Sequence, residues 1–204
     1  MAMKPQLVAL LEAMKALGLK PMHELSPVDA REQMEAGVRA RDNPAIELGS
    51  IEELTVPGPA GDIPVRLYRP QGATGPLGAL VYYHGGGHVV GSMDTHDYAC
   101  RAICRDAGIV VMSVDYRMGP EARFPAAVDD CYAATKWLSE NAESMGVRAD
   151  RIAVGGDSAG GNLALVISLM ARDDANGPAI AYQLLVYPAM DYAGGTPTYE
   201  TYGN

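Results

Sequence analysis

Five consecutive residues, Gly156-Asp157-Ser158-Ala159-Gly160, hold the side chain best placed for covalent chemistry. A serine with glycine two positions to either side is the pattern of a nucleophile held at the tip of a sharp turn between a strand and a helix. The turn forces a strained backbone on the serine, so its neighbours must be small, and Gly156 and Gly160 meet that need. A helix opening at Ala159 aims its unpaired N–H groups at the same place. Upstream, His84-Gly85-Gly86-Gly87 sets three glycines in series. Such a run lets the backbone turn several N–H groups toward one point, which is what a tetrahedral oxyanion requires. Together the segments read as acyl transfer: Ser158 attacks, and the amides of Gly86, Gly87 and Ala159 hold the oxyanion. His84 and Gly85 read as support for that loop. The rival readings of such glycines are a plain turn or a phosphate loop. The Gly-Lys-Ser/Thr of a Walker loop and the G-x-G-x-x-G of a dinucleotide fold are both absent, which leaves a nucleotide-binding domain weakly supported.

These residues need elements to carry them. Leu7, Leu10, Leu11, Met14 and Leu17 recur at helical spacing and predict a first helix with one apolar stripe. Ser26-Pro27-Val28-Asp29 offers an N-cap, a proline at the first helical position and an acid at the third, so a second helix runs from there to about Arg41. Segments 51–56 and 63–68 alternate like strands around the turn material Gly58-Pro59-Ala60-Gly61-Asp62. Short apolar runs at 78–83, 109–114, 151–154 and 182–186 then alternate with helical stretches at 95–107, 125–145 and 159–172. That alternation predicts an open α/β architecture, a mostly parallel sheet with helices on both faces, opened by an antiparallel hairpin. Both glycine segments follow strands, where such sheets bind ligands.

Length and composition set the bounds. At 204 residues the chain is one domain, or one domain and part of another. It is 48% apolar and 20% charged, ordinary values for a protein with a packed core. Sixteen Lys and Arg against 25 Asp and Glu give a net charge of −9, with no basic run. Nucleic acid and anionic membrane surfaces are therefore poor partners. The most apolar piece, 163–171, is far short of the roughly 20 residues of a membrane span and contains Ser168. The opening apolar run is cut by Glu12 and Lys15 and has no small-residue cleavage site, so a cytoplasmic location is expected. Cys100, Cys104 and Cys131, an odd number, read as reduced and partly buried thiols. No metal-ligand spacing is present and no cofactor is implied.

With the two glycine segments extended by Gly161, the sequence resembles the bacterial hormone-sensitive-lipase-like esterases of the α/β-hydrolase fold. Asp115-Tyr116-Arg117 with Pro120-Glu121, Phe124-Pro125-Ala126-Ala127, and Tyr187-Pro188-Ala189-Met190-Asp191 are similar to further stretches of that family. The resemblance implies a helical cap segment over 1–45, a hydrolase core over 46–191 and the start of a second cap segment over 192–204. It also implies a serine carboxylesterase acting on a small-molecule ester, and it makes Asp115, Arg117 and Glu121 a structural charge network. One departure is local: relatives carry a bulky aromatic after the glycines, where this chain has His88, read as a wall of the pocket. As a stand-in base, His88 lacks an evident partner to orient it.

A serine needs a base, and the base an acid, which in this fold follow the nucleophile in the order Ser, acid, His. The four histidines are His23, His84, His88 and His96, all upstream of Ser158. Asp191 follows a strand but has no histidine to serve. The chain thus reads as the N-terminal two-thirds of a longer esterase, nearly inactive alone. Strand 182–186 would then be an open sheet edge, covered by a C-terminal companion polypeptide or by self-association. The rival from another class is a catalytically dead relative that binds a small molecule.

Overall fold

The computed structural model describes residues 3–202. The side chains of Leu10 and Tyr202, and the ends of the expected cap segments at 1–2 and 203–204, lie outside the described residues. Helix α1 (Pro5–Ala16) and helix α2 (Pro27–Arg39) come first, joined through a 3-10 turn at Met22–Glu24. Ser26 caps α2: its Oγ accepts from the Asp29 amide at 3.2 Å and donates to the Asp29 carboxylate at 2.7 Å. The helix ends at Arg39, two residues before the expected Arg41. In α1 the described members of the predicted stripe, Leu7, Leu11, Met14 and Leu17, are exposed, so helical periodicity is present without burial.

The core follows as β1 (Ser50–Gly58), β2 (Gly61–Arg69), β3 (Leu77–Tyr83), α3 (Asp97–Ala107), β4 (Val110–Val114), α4 (Ala126–Glu140), β5 (Val147–Asp157), α5 (Ala159–Asp173), β6 (Ile180–Val186) and α6 (Pro197–Tyr202). One six-stranded sheet runs in the order β1-β2-β4-β3-β5-β6. β1, β2 and β4 pair antiparallel in turn, while the pairs β4–β3, β3–β5 and β5–β6 are parallel. This is the predicted mostly parallel sheet with its opening hairpin.

The period-2 alternation of strand side chains feeds two cores. On one face Val81, Tyr83, Met112 and Val154 pack with Cys131, Ala134 and Leu138 of α4 and Leu163, Ala164 and Ile167 of α5. On the other, Tyr68, Leu80, Tyr82 and Val111 pack with Cys100 and Cys104, one turn apart on α3. Because β3 and β4 are covered on both faces, they read as continuous apolar runs. All three cysteines are buried free thiols.

Two elements depart furthest from the sequence reading. α4 stops at Glu140 rather than 145, where the Asn141 side chain donates to the Trp137 carbonyl at 2.9 Å and the chain turns. β5 spans eleven residues instead of the expected four. Its first half carries exposed Arg148 and Asp150, which hide the alternation, and its last turns on Gly155 and Gly156, which have low strand propensity. Packing overrides that propensity at Gly155, where a Cβ would sit 2.8 Å from the Leu184 side chain of β6. β6 closes one side of the sheet order, with Tyr182 67% exposed. Among the described residues no helix is long and apolar enough to cross a membrane.

Candidate active site

β3 is where the connections diverge, with β4 on one side and β5 on the other; such a switch point opens a crevice beyond the strand ends. Tyr83 lies opposite Gly156 in the β3–β5 register. The chain leaving β3 at His84 and the chain leaving β5 at Ser158 therefore emerge side by side, and the two glycine segments meet.

Ser158 stands between β5 and α5 with φ 51° and ψ −115°, a conformation that L-residues avoid. Its backbone is pinned from both sides. The Ser158 amide donates to Val186 O at 2.9 Å, and its carbonyl accepts from Asn162 at 3.1 Å and Ala189 at 3.0 Å. Close approach dictates the flanking glycines: a Cβ on Gly160 would fall on the Tyr83 carbonyl oxygen and 2.7 Å from that of His84. The hydroxyl itself makes no hydrogen bond among the described residues.

The glycine loop turns at Gly86, φ 131°, whose carbonyl accepts from Val89 and Val90 at 3.1 and 3.0 Å. Among the described residues the amides of Gly86, Gly87 and Ala159 donate to no protein acceptor, so three donors are left free beside the serine. His84 is fully buried, with Nδ1 2.9 Å from the Gly85 carbonyl and its ring stacked on Tyr116 at 4.4 Å. Burial pushes the His84 imidazole down to about 4, offset in part by that bond. His88 also sits at positive φ, 61°. Its Nε2 faces the Tyr192 hydroxyl at 3.2 Å, its Nδ1 is buried without a partner, and burial lowers its pKa. The ring thus meets a phenol rather than an orienting carboxylate.

Other sequence candidates separate. Arg117 forks onto buried Asp130 of α4 at 2.7 and 2.8 Å, while Glu121 pairs with Arg31 of α2. Asp115 joins neither pair. Asp191 is exposed and closes a turn by accepting the Ala193 amide at 2.8 Å. Among the described residues no group of three His, Cys, Asp or Glu is placed to hold a metal ion.

The structure adds residues that sequence reasoning missed. Arg31 donates to the Val89 carbonyl at 2.7 Å and the Gly119 carbonyl at 2.7 Å, besides Glu121. It fastens α2 to the end of the glycine loop. Removing it with Arg31→Ala strips two partly buried carbonyls of a charged donor, at about 1–3 kcal/mol. Lysine lacks the planar fork and should restore little. The expected readout is faster amide exchange through α2 in both variants, with a smaller change in Glu121→Gln because solvent screens that partner. Asp157 is the other omission. Burial pushes its carboxyl up, but His96, the Tyr82 hydroxyl and the Gly85 amide outweigh this and hold it well below the usual range.

A family model described as the alpha/beta hydrolase fold matches residues 80–204. Among curated relatives, the carboxylic ester hydrolase LipN of Mycobacterium tuberculosis is 48% identical over 87% of this chain and 48% of its own length. The ethyl acetate hydrolase of Pseudomonas putida is 40% identical over 100% of this chain and 66% of its own. Among solved structures, an esterase of Pyrobaculum calidifontis superposes with a TM-score of 0.87 at 41% identity, covering 98% of this chain and 63% of that one. The chain spans between about half and two thirds of the length of these relatives.

Proposed function

The chain belongs to the α/β-hydrolase fold family, in its hormone-sensitive-lipase-like esterase branch, and from that premise we propose that it carries the nucleophile and oxyanion hole of a serine carboxylesterase for small or short-chain acyl esters. Ester-hydrolase relatives support the reaction class. The observation that carries the reading is the strained Ser158 beside three unclaimed amides, brought together by the Tyr83–Gly156 register.

In the proposed reaction the Ser158 oxygen bonds to the ester carbonyl carbon, and the carbonyl electrons move onto oxygen. That oxyanion accepts from the amides of Gly86, Gly87 and Ala159, donors already oriented and so requiring no reorganisation. Collapse expels the alcohol and leaves an acyl-serine, which water then hydrolyses. His84 and Gly85 support the loop, and His88 walls the pocket. The proton acceptor and its acid come from outside these residues, so the 204-residue chain alone reacts slowly. Loss of base and acid leaves only the residual catalysis of hole and binding, several orders of magnitude down. Segments 1–45 and 192–204 belong to the roof over the site. The edge of β6 is covered by further polypeptide or by a second copy; a monodisperse monomer in sedimentation, with no second peptide present, contradicts this. The ethyl acetate named for the Pseudomonas putida relative supports short chains on both sides of the ester.

The test is covalent. A short-chain p-nitrophenyl alkylphosphonate should add one phosphonyl group to the chain by intact mass, slowly, and none to Ser158→Ala. Equal labelling of the variant would overturn the assignment of the nucleophile. Turnover of p-nitrophenyl butyrate should be barely above the Ser158→Ala background. Sustained turnover lost in that variant would instead place a base within the chain, with His88 the candidate.

A further inference from the structure

The residue just before the serine is the most heavily bonded side chain at the site. Asp157 Oδ1 accepts from the Tyr82 hydroxyl at 2.8 Å and the Gly85 amide at 3.0 Å, and lies 3.2 Å from His96 Nε2. Its Oδ2 accepts from the Tyr187 hydroxyl at 3.2 Å, with His96 Nε2 at 3.4 Å. These donors come from β3, the glycine loop, the segment after β6 and the residue that precedes α3. One carboxylate thus joins the ends of three strands to the loop.

His96 is itself held. Ser92 and Thr95 exchange hydrogen bonds, the Ser92 amide to Thr95 Oγ1 at 2.8 Å and the Thr95 amide to Ser92 Oγ at 3.3 Å. Thr95 Oγ1 sits 2.8 Å from His96 Nδ1. Thr95 Oγ1 itself donates to the Ser92 carbonyl at 2.9 Å, and because the Asp157 carboxylate facing the ring can only accept, Nε2 is the nitrogen that presents a hydrogen to it.

The consequence runs through two adjoining peptide planes, that of the Gly85 N–H and the one shared by the Gly85 carbonyl and the Gly86 N–H. The Gly85 amide is fixed by Asp157, and the Gly85 carbonyl by His84 Nδ1. In a trans peptide the N–H of the next residue points opposite to that carbonyl. Pinning Gly85 at both ends therefore aims the Gly86 N–H. Gly85 has no room for a side chain, since its Cβ would fall on the Asp157 carboxylate.

We propose that Asp157 and His96 form a positioning pair that presets the oxyanion hole, His96 holding the Asp157 carboxylate in the orientation that fixes Gly85 and so directs the Gly86 amide. Neither residue touches substrate. The proposal rests on the esterase reading for its chemistry, but the loop geometry is measurable without it.

The experiment compares His96→Gln, His96→Phe and Asp157→Asn with the parent chain. Glutamine keeps an N–H for Asp157, while phenylalanine keeps the bulk and loses the donor. Amide spectra report the hydrogen bond of Gly85 and the setting of Gly86, and intact mass gives the rate of Ser158 phosphonylation. In His96→Phe the Gly85 and Gly86 resonances should move, and phosphonylation should slow by about tenfold. His96→Gln should restore both to within about threefold of the parent, and Asp157→Asn should slow the reaction by about a hundredfold, the scale of a lost oxyanion donor. Equal loss in Gln and Phe would mean that the ring only packs, and would overturn the pair. So would glycine resonances and rates unmoved in His96→Phe. Should Asp157→Asn fail to fold, the two His96 variants decide the matter. Should the parent chain resist labelling, the esterase reading fails and the amide spectra still decide the pair.

Discussion

Gly160→Ala is expected to destabilise the chain by about 2 kcal/mol or more, although the same substitution at Gly37 should stabilise it. Both glycines lie in helices, α5 and α2. In each, alanine gains about 0.8–1 kcal/mol of helix propensity. Surroundings decide the sign. A Cβ on Gly37 meets nothing within 4 Å, so the propensity gain stands. A Cβ on Gly160 falls on the Tyr83 carbonyl, backbone of the fully buried end of β3. Neither side can give way, because α5 is seated by Leu163, Ala164 and Ile167, and β3 lies between two bonded neighbours. Overpacking costs about 1–3 kcal/mol, occasionally more, and a Cβ driven this far into rigid backbone falls at the top of that range or above it, so it outweighs propensity. Urea unfolding at constant m-value reads the difference, with the midpoint rising for Gly37→Ala and falling for Gly160→Ala. Midpoints moving in the same direction would contradict the close approach of β3 and α5. Since that contact also sets Ser158 beside the glycine loop, phosphonylation of Gly160→Ala should slow even where the variant remains folded.

The same contact explains what was legible in the sequence. Constraints that act within a few residues leave marks in composition: the glycines around Ser158, the run after β3, the Ser26-Pro27 start of α2 and the alternation of β1 and β2. Each was readable because its cause is local. Constraints across the fold leave no such mark. Gly85 and Asp157 are 72 residues apart, His96 and Asp157 61, and Arg31 and Glu121 90. Their meeting depends on the β3–β5 register and on where α2 docks. The resemblance also misled here, since it made Asp115, Arg117 and Glu121 one charge network. The buried acceptor for Arg117 is Asp130, one percent exposed on α4, and the cation for Glu121 comes from α2. The extent of β5 was obscured for a related reason. Its glycines are required by what packs on them, a property of β3, β6 and α5 rather than of the strand itself.

Stability should fall by about 3 kcal/mol as the pH drops from 7.5 to 4, and His84 is the main cause. Burial lowers its pKa to about 4, from the ordinary value of 6.5 that it regains on unfolding. Above pH 6.5 the imidazole is neutral in both states and full stability is present. Between 6.5 and about 4 the unfolded chain binds a proton that the folded chain refuses, so stability declines with falling pH. Below about 4 both states bind it and the decline from this group ends. The gap of about 2.5 units, at 1.36 kcal/mol each, sets the size. His88, lowered in the same direction by burial, adds a lesser amount in the same window. Asp157 acts in the next one. Its carboxylate is held below the ordinary value of 3.8, so its contribution is present above that value and is lost as pH falls further. The two declines adjoin, and substitution separates them. His84→Asn should lower stability at pH 7.5 but flatten the dependence between 7.5 and 4.5 to the share of His88. Asp157→Asn should leave that window sloping and weaken the decline below pH 4. Urea unfolding free energies at pH 7.5, 5.5 and 4.5 decide it: a parent chain equally stable at all three would mean that folded His84 takes up its proton as readily as the unfolded chain does, and at pH 4.5 the loop would then carry a charge where the geometry provides the Gly85 carbonyl, a more distant Tyr116 hydroxyl and nothing at Nε2.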